Sequence, residues 1–155
     1  ERAFDFNNEL DYPLPHGFRF TEPGELDNHT VSECCDKGFD HEEEDGPYDG
    51  DANNSLRLLT APHGTPEHAL AVVNEAGEYV CFAGMWWTPE NRLAYMEPLC
   101  TVPEYRGKGL AAAALSEHAR RLRPLGAAYM TGGSGPFYES IGFAPMTEQT
   151  YWRRA

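Results

Sequence analysis

Apolar residues recur along this chain with two different periods, and the change of period divides it. Between residues 70 and 102, β-branched and aromatic side chains dominate three runs, Leu70 to Asn74, Tyr79 to Trp87 and Leu93 to Val102. Such composition favours strands. Glu75-Ala-Gly77 and Thr88-Pro-Glu-Asn91 separate them with turn-forming residues, so the runs read as an antiparallel meander. After Pro103 the period lengthens. Gly107 to Arg123 carries Leu110, Ala114, His118 and Leu122 at four-residue spacing in an Ala-rich background, with arginines in the last turn and Pro124 as a stop. This predicts a long helix. The short apolar run Ala127 to Met130 suits a buried strand. Ser134 to Ser140 suits a helix with Ser134 as N-cap and Pro136 in its first turn, and Phe143 to Trp152 suits a strand that closes the sheet.

The N-terminal part is less regular. The first 15 residues, rich in Asn, Asp and Pro, are expected to form an extended lead-in, followed by a short strand at Phe18 to Thr21. Leu26, Val31, Cys34/Cys35 and Phe39 outline a helix over Glu25 to Phe39, and Gly38 marks its end. Residues 40–55 are acidic, with Gly-Pro and Gly inside them, and read as a polar loop or frayed helix edge. Strands first, then strand-helix-strand-helix-strand, predict an α+β layered domain without internal repeats.

Charge and composition narrow the function. With 12 Lys+Arg against 25 Asp+Glu and a formal charge of −13, the chain lacks the basic face that nucleic acid requires. A cationic substrate is compatible with that field. No apolar run approaches the roughly 20 residues of a bilayer span, and no signal-peptide pattern is present, so the cytoplasm is the expected location. The four cysteines, Cys34, Cys35, Cys81 and Cys100, form no CxxC or zinc-type set, so reduced thiols and no metal site are expected. Beginning at Glu1, the sequence is compatible with a single domain over residues 1–155 or with one domain of a longer polypeptide.

The densest chemistry lies in Leu99-Cys-Thr-Val-Pro-Glu-Tyr-Arg-Gly-Lys-Gly-Leu-Ala111. A strand enters a loop with glycines at 107 and 109, and the loop opens into the long helix, so unpaired N–H groups converge at a helix N-terminus. Glycines let the backbone approach an oxygen closely, and Arg106 and Lys108 add positive charge. A phosphate or pyrophosphate fits such a nest. The spacing is neither GxxxxGK[ST] nor GxGxxG.

Arg106-Gly107-Lys108-Gly109-Leu110-Ala111 does follow R/Q-x-x-G-x-G/A, and Gly135-Pro-Phe-Tyr-Glu-Ser-Ile-Gly-Phe143 follows the pattern FYxxxGF some 30 residues later. On these two motifs the chain resembles the GNAT superfamily of N-acetyltransferases. The likeness covers roughly residues 69–143, the cofactor-binding core, and leaves 1–65 as the variable acceptor-side part. It implies a twisted mixed β-sheet flanked by helices, with a central strand that bulges and splays. It also implies acetyl-CoA as donor, its pyrophosphate on Arg106, Gly107, Lys108, Gly109, Leu110 and Ala111, and its pantetheine arm along Leu99, Cys100 and Thr101. Tyr138 falls where the family places the acid that protonates the departing thiolate, a task a phenol of pKa about 10 can perform.

Glu97, on the strand before the expected bulge, is the candidate base for an amine that arrives as ammonium; the alternative is a structural carboxylate. A backbone N–H near Leu99 or Cys100 is the expected oxyanion donor. Direct attack by a primary amine is implied, with Cys100 as a structural thiol. The acceptor, a small molecule or a peptide amine, is not fixed by the sequence. Asp40, Glu42, Glu43, Glu44 and Asp45, following the first helix, are expected to border its site and to favour a cationic one. Gly132-Gly-Ser-Gly135 stands where the family often has an asparagine. A non-catalytic acyl-CoA-binding module or one half of a tandem protein is the alternative reading, and a homodimer stays open.

Overall fold

The computed structural model describes residues 1–51, 59–148, 150 and 152. The meander forms, but both of its long strands break in the middle. Tyr79 to Trp87 becomes β4 (Tyr79–Ala83) and β5 (Trp86–Thr88), while Leu93 to Val102 becomes β6 (Leu93–Tyr95) and β7 (Leu99–Thr101). β4 pairs with β7 and β5 with β6, both antiparallel, so the hairpin is continuous in pairing yet shared between two sheets. One sheet has the order β2-β3-β4-β7, with β2 at Phe18–Phe20 and β3 at Leu70–Asn74. The other has the order β5-β6-β8-β1-β9, with β1 at Arg2–Asp5, β8 at Tyr129–Thr131 and β9 at Ala144–Pro145.

Gly84 is the pivot between the sheets. Its N–H donates to the Pro98 carbonyl at 2.8 Å and its carbonyl accepts from Glu97 N at 3.3 Å, while an added Cβ would lie 2.8 Å from Pro98 Cδ. Only glycine lets the two backbones close there.

The long helix is α3, Leu110–Leu122, with α1 at Asn28–Gly38 and α2 at His41–Asp45 before it. α3 presents Ala112, Ala113, Ala114, Leu115, Ala119 and Leu122, all buried, to both sheets. Its small side chains let it lie close beneath them. His118, also buried, directs Nε2 at the Ala83 carbonyl across 3.2 Å and so ties α3 to the end of β4. On the opposite face of the four-stranded sheet, α1 packs Val31 and Cys34 against Phe82, Cys100 and Val102. Asp27 caps α1 by accepting from Thr30 N at 2.8 Å. The short helix α2 occupies part of the stretch read as a polar loop, whose residues 52–55 lie outside those described.

Three expectations are corrected. The lead-in contains β1, which pairs with both β8 and β9 inside the sheet. Four residues followed by an Asn-, Asp- and Pro-rich stretch give little local signal, and pairing with two neighbours overrides it. Among the described residues the C-terminal strand covers Ala144–Pro145, with Phe143 buried in the core before it; residues 149 and 151 of the expected strand lie outside those described. Ser134 does not cap the last helix, α4 at Pro136–Ser140. Gly135, at φ 99°, precedes Pro136, whose fixed φ starts the turn unaided.

Candidate active site

The break between β6 and β7 reverses the side-chain parity. Met96 packs with α3 and Glu97 is exposed on the other face; beyond Pro98, Leu99 packs on the α3 side and Cys100 on the α1 side. In an uninterrupted strand Glu97 and Leu99 would share a face. The bulge expected of this strand is therefore present. It also parts the sheet. β6 pairs with β8 in parallel as far as Met96, whose N–H donates to the Thr131 carbonyl at 2.7 Å. Beyond that point β7 pairs only with β4 among the described residues.

The bonds Gly84 N to Pro98 O and Val102 N to Val80 O fix which backbone groups of β7 turn toward β4. By antiparallel alternation those of Cys100 do so too, and those of Leu99 and Thr101 turn outward to the opening. Cys100 thus departs from the expected row of three. Its backbone is spent on β4, and its side chain, 5% exposed, lies 3.9 Å from the Cys35 sulfur. Leu99 and the N–H of Thr101 supply the open edge, the Thr101 carbonyl accepting from Arg106 Nε at 3.0 Å.

At one end of that edge stands the glycine loop. After a 3₁₀ turn at Pro103–Tyr105, Gly107 and Gly109 adopt φ 73° and 82°, and α3 starts at Leu110 without a side-chain cap. The first N–H of the helix with a backbone acceptor is that of Ala113, which donates to Gly109 O at 3.0 Å. The N–H groups of residues 107 to 112 have no acceptor among the described residues. A Cβ built at Gly107 or Gly109 meets nothing within 4 Å, so the space before these donors is open. Unpaired N–H groups, positive φ and a helix dipole together fit a phosphate.

Arg106 contributes differently from the expectation. Its Nε donates to Thr101 O at 3.0 Å, and one terminal nitrogen donates to Gly38 O at 3.0 Å and Asp40 Oδ1 at 2.8 Å. The guanidinium clamps the end of α1 to the loop. Lys108 has no ion pair among the described residues and is the loop's unengaged cation. The acidic run also lies elsewhere than expected. Asp40 is bound to Arg106, and Glu42 and Glu43 line a cavity of about 940 Å³ with Glu33, Glu78 and Glu104, at the loop end of β7 and not at the Glu97 end.

Tyr138 forms the other wall of the opening. Its ring meets Phe137 and Phe143 edge-on at centroid distances of 5.0 and 5.4 Å and packs against the same core cluster as Leu99. Gly133, at φ 121°, lies directly under the ring, and a Cβ there would come within 2.6 Å of Cε1 and Cε2. This packing accounts for the glycines at 132 and 133, since a Cβ at Gly132 would likewise strike the Met96 backbone. The Tyr138 hydroxyl has no hydrogen-bond partner among the described residues. Burial, and then the charge of Glu97, pushes its pKa up to about 12. The phenol is therefore a proton donor across the neutral range.

Glu97 stands at the far end of β7 with its carboxylate 3.5 Å from Tyr95 Oη. With Leu59, Thr65, Pro66, Met85 and Trp86 it borders a hollow of about 10 Å³. Trp86 and Tyr95 are direct cross-strand partners, and sequence reasoning missed them. Their alternation with buried Ala94 and half-buried Trp87 is the signal that places them on the outward face. No cluster suited to a metal ion occurs among the described residues.

The family model for the acetyltransferase (GNAT) domain matches residues 66–145. The chain belongs to the GNAT acetyltransferase family, and with it to the acyltransferases, whose donors are generally acetyl-CoA or another acyl-CoA. A GCN5-related N-acetyltransferase of Sphaerobacter thermophilus superposes with a TM-score of 0.71 at 19% identity, covering 92% of this chain and 46% of its own. One from Kribbella flavida gives 0.58 at 17%, covering 93% and 52%. An acetyltransferase of Trypanosoma brucei gives 0.58 at 19%, covering 88% and 98%. At these identities the likeness is one of fold. The chain spans about half the length of the first two. No curated protein matches the sequence. No helix among the described residues is long and apolar enough to cross a membrane.

Proposed function

We propose that this chain transfers an acetyl group from acetyl-CoA directly to a primary amine. The observation that carries the reading is one continuous path. The unpaired N–H groups of residues 107–112 lead to the open β7 edge at Leu99 and Thr101, and that edge ends between Tyr138 and Glu97. Acetyl-CoA supplies the thioester. Residues 107–112, with Lys108, would hold its pyrophosphate, and Leu99 and Thr101 would hold its pantetheine amides in the manner of an added strand. Arg106 shapes the loop through Thr101, Gly38 and Asp40.

The chain's own groups then divide the chemistry. Glu97 accepts a proton from the incoming ammonium, freeing the lone pair that attacks. The outward N–H of Leu99 stands ready to donate to an oxygen that gains charge. Tyr138 keeps a proton on Oη, available to the leaving sulfur, and its raised pKa of about 12 keeps that proton in place at neutral pH. Donor binding is the test. Calorimetry is expected to show acetyl-CoA binding to the wild type and none to Gly109→Glu, which sets a side chain and a negative charge in the open space before the N–H groups. Equal affinity in the variant would overturn the phosphate site.

A further inference from the structure

Resting on that reading, we infer that the acceptor is a primary monoamine carried on an aromatic frame, held by Trp86 and Tyr95 with its nitrogen at Glu97. Trp86 and Tyr95 face each other across the β5–β6 ladder and therefore share one face of the sheet. That face is the one opposite α3, because the alternate residues Ala94, Met96 and Trp87 are the ones in the α3 core. Glu97 lies on the same face two residues from Tyr95, with Tyr95 Oη 3.5 Å from Oε2, and Tyr95 is 40% exposed.

The surroundings restrict what can sit there. The described residues bordering the hollow between Trp86 and Glu97 are Leu59, Thr65, Pro66, Ala69, Phe82, Gly84 and Met85, so Glu97 is the one charged group among the described residues there. Thr65 is spent on backbone, with Oγ1 donating to Met85 O at 3.0 Å and accepting from Trp87 N at 2.8 Å. A diamine needs a second carboxylate for its far end. Glu33, Asp40, Glu42, Glu43, Glu78 and Glu104 gather at the loop end of β7, and Glu1, whose charge is felt at Tyr95, does not border the hollow. An aminoglycoside or a peptide N-terminus needs several polar partners, and among the described residues of the wall only Thr65, already bonded to backbone, and Glu97 are polar. One carboxylate beside the half-buried Trp86 and the exposed Tyr95 matches one ammonium joined to one ring, through charge pairing, cation–π attraction and stacking.

The experiment compares three amines by thiol release with acetyl-CoA: phenethylamine, putrescine and an alanyl dipeptide amide. Phenethylamine is expected to give a kcat/KM at least about tenfold above either competitor. Trp86→Ala should raise its KM about tenfold with acetyl-CoA KM unchanged, and Trp86→Phe should restore most of the loss. Acetyl-CoA affinity reports folding; if Trp86→Ala fails that check, Tyr95→Ala takes its place with the same expectation. Equal or better use of putrescine or the dipeptide, or an unmoved phenethylamine KM in folded variants, overturns the inference alone. So does acetyl-CoA binding with thiol release from none of the three amines. Failure of acetyl-CoA to bind the wild type overturns the proposed function and this inference together.

Discussion

Gly133→Ala isolates the placement of Tyr138 from its chemistry. Gly133 sits at φ 121°, a conformation L-residues rarely adopt, and its new methyl would lie 2.6 Å from Cε1 and Cε2 of Tyr138, inside the 3.4 Å of ordinary contact. The ring must withdraw by at least about 0.8 Å, the difference between those two distances. Because Phe137 and Phe143 hold it edge-on from two sides, the hydroxyl leaves its place with the ring. A catalytic group misplaced by about 1 Å loses roughly 10²-fold in rate, so kcat should fall by that order. KM for acetyl-CoA should hold, since residues 107–112 belong to the loop before α3 and its first turn, whereas the atoms nearest the new methyl are those of Tyr138. Backbone strain of roughly 1–3 kcal/mol should also lower the melting temperature, by about 2–4 °C per kcal/mol in a chain of this size. The assay is steady-state thiol release at saturating acceptor, repeated in a Tyr138→Phe background, where Gly133→Ala should cost little more because both act through one hydroxyl. Wild-type kcat in Gly133→Ala, or full additivity in the double variant, would refute the reasoning.

Tyr138→Phe alone should lower kcat by about 10²-fold while calorimetric affinity for acetyl-CoA is retained, since the hydroxyl acts only as the sulfur leaves. Glu97→Gln should lower kcat/KM for an amine acceptor with acetyl-CoA affinity retained, and should move the alkaline limb of its pH profile downward, because the Glu97 charge helps to raise the Tyr138 pKa. His118 is a pH-sensitive support. Burial pulls its pKa down to about 3, so the unfolded chain binds a proton that the folded chain refuses at pH values between about 3 and 6.5. Its contribution is intact above 6.5 and fades as pH falls through that window. The melting temperature should therefore drop less steeply from pH 6.5 to 4.5 in His118→Gln than in the wild type, as read by thermal scans.

The parts of the fold carried by local periodicity were legible in the sequence. The i+4 pattern of Leu110, Ala114, His118 and Leu122 gave α3, and the β-branched runs gave β3 to β7. What escaped depends on contacts between distant segments. β1 owes its place to Met130 and Ala144, more than 120 residues away, and nothing in Arg2-Ala-Phe-Asp5 announces them. The same holds within the site. Gly107 and Gly109 were readable because their conformation serves the loop itself, whereas Gly133 is glycine for the sake of Tyr138. The role of Arg106 could not be read from its motif, because its partners Gly38 and Asp40 come from α1 and its exit.

The one-residue shift between Glu97 and Leu99 joins these observations into a single device. In an unbroken strand the carboxylate and the edge that follows would alternate regularly, and β7 would continue alongside β8 as β6 does. No edge would then be open. The shift turns Leu99 toward α3 and leaves Glu97 on the face away from it. On the proposed reading, the anionic carrier is anchored at the N-terminus of α3, where helix dipole and free N–H groups accumulate positive potential. The amine is met on the opposite face, where the carboxylate of Glu97 stands. A chain of formal charge −13 thereby separates the site that must attract phosphate from the one that must attract ammonium. The glycine at 84, which admits the Pro98 backbone, is what lets one hairpin carry both.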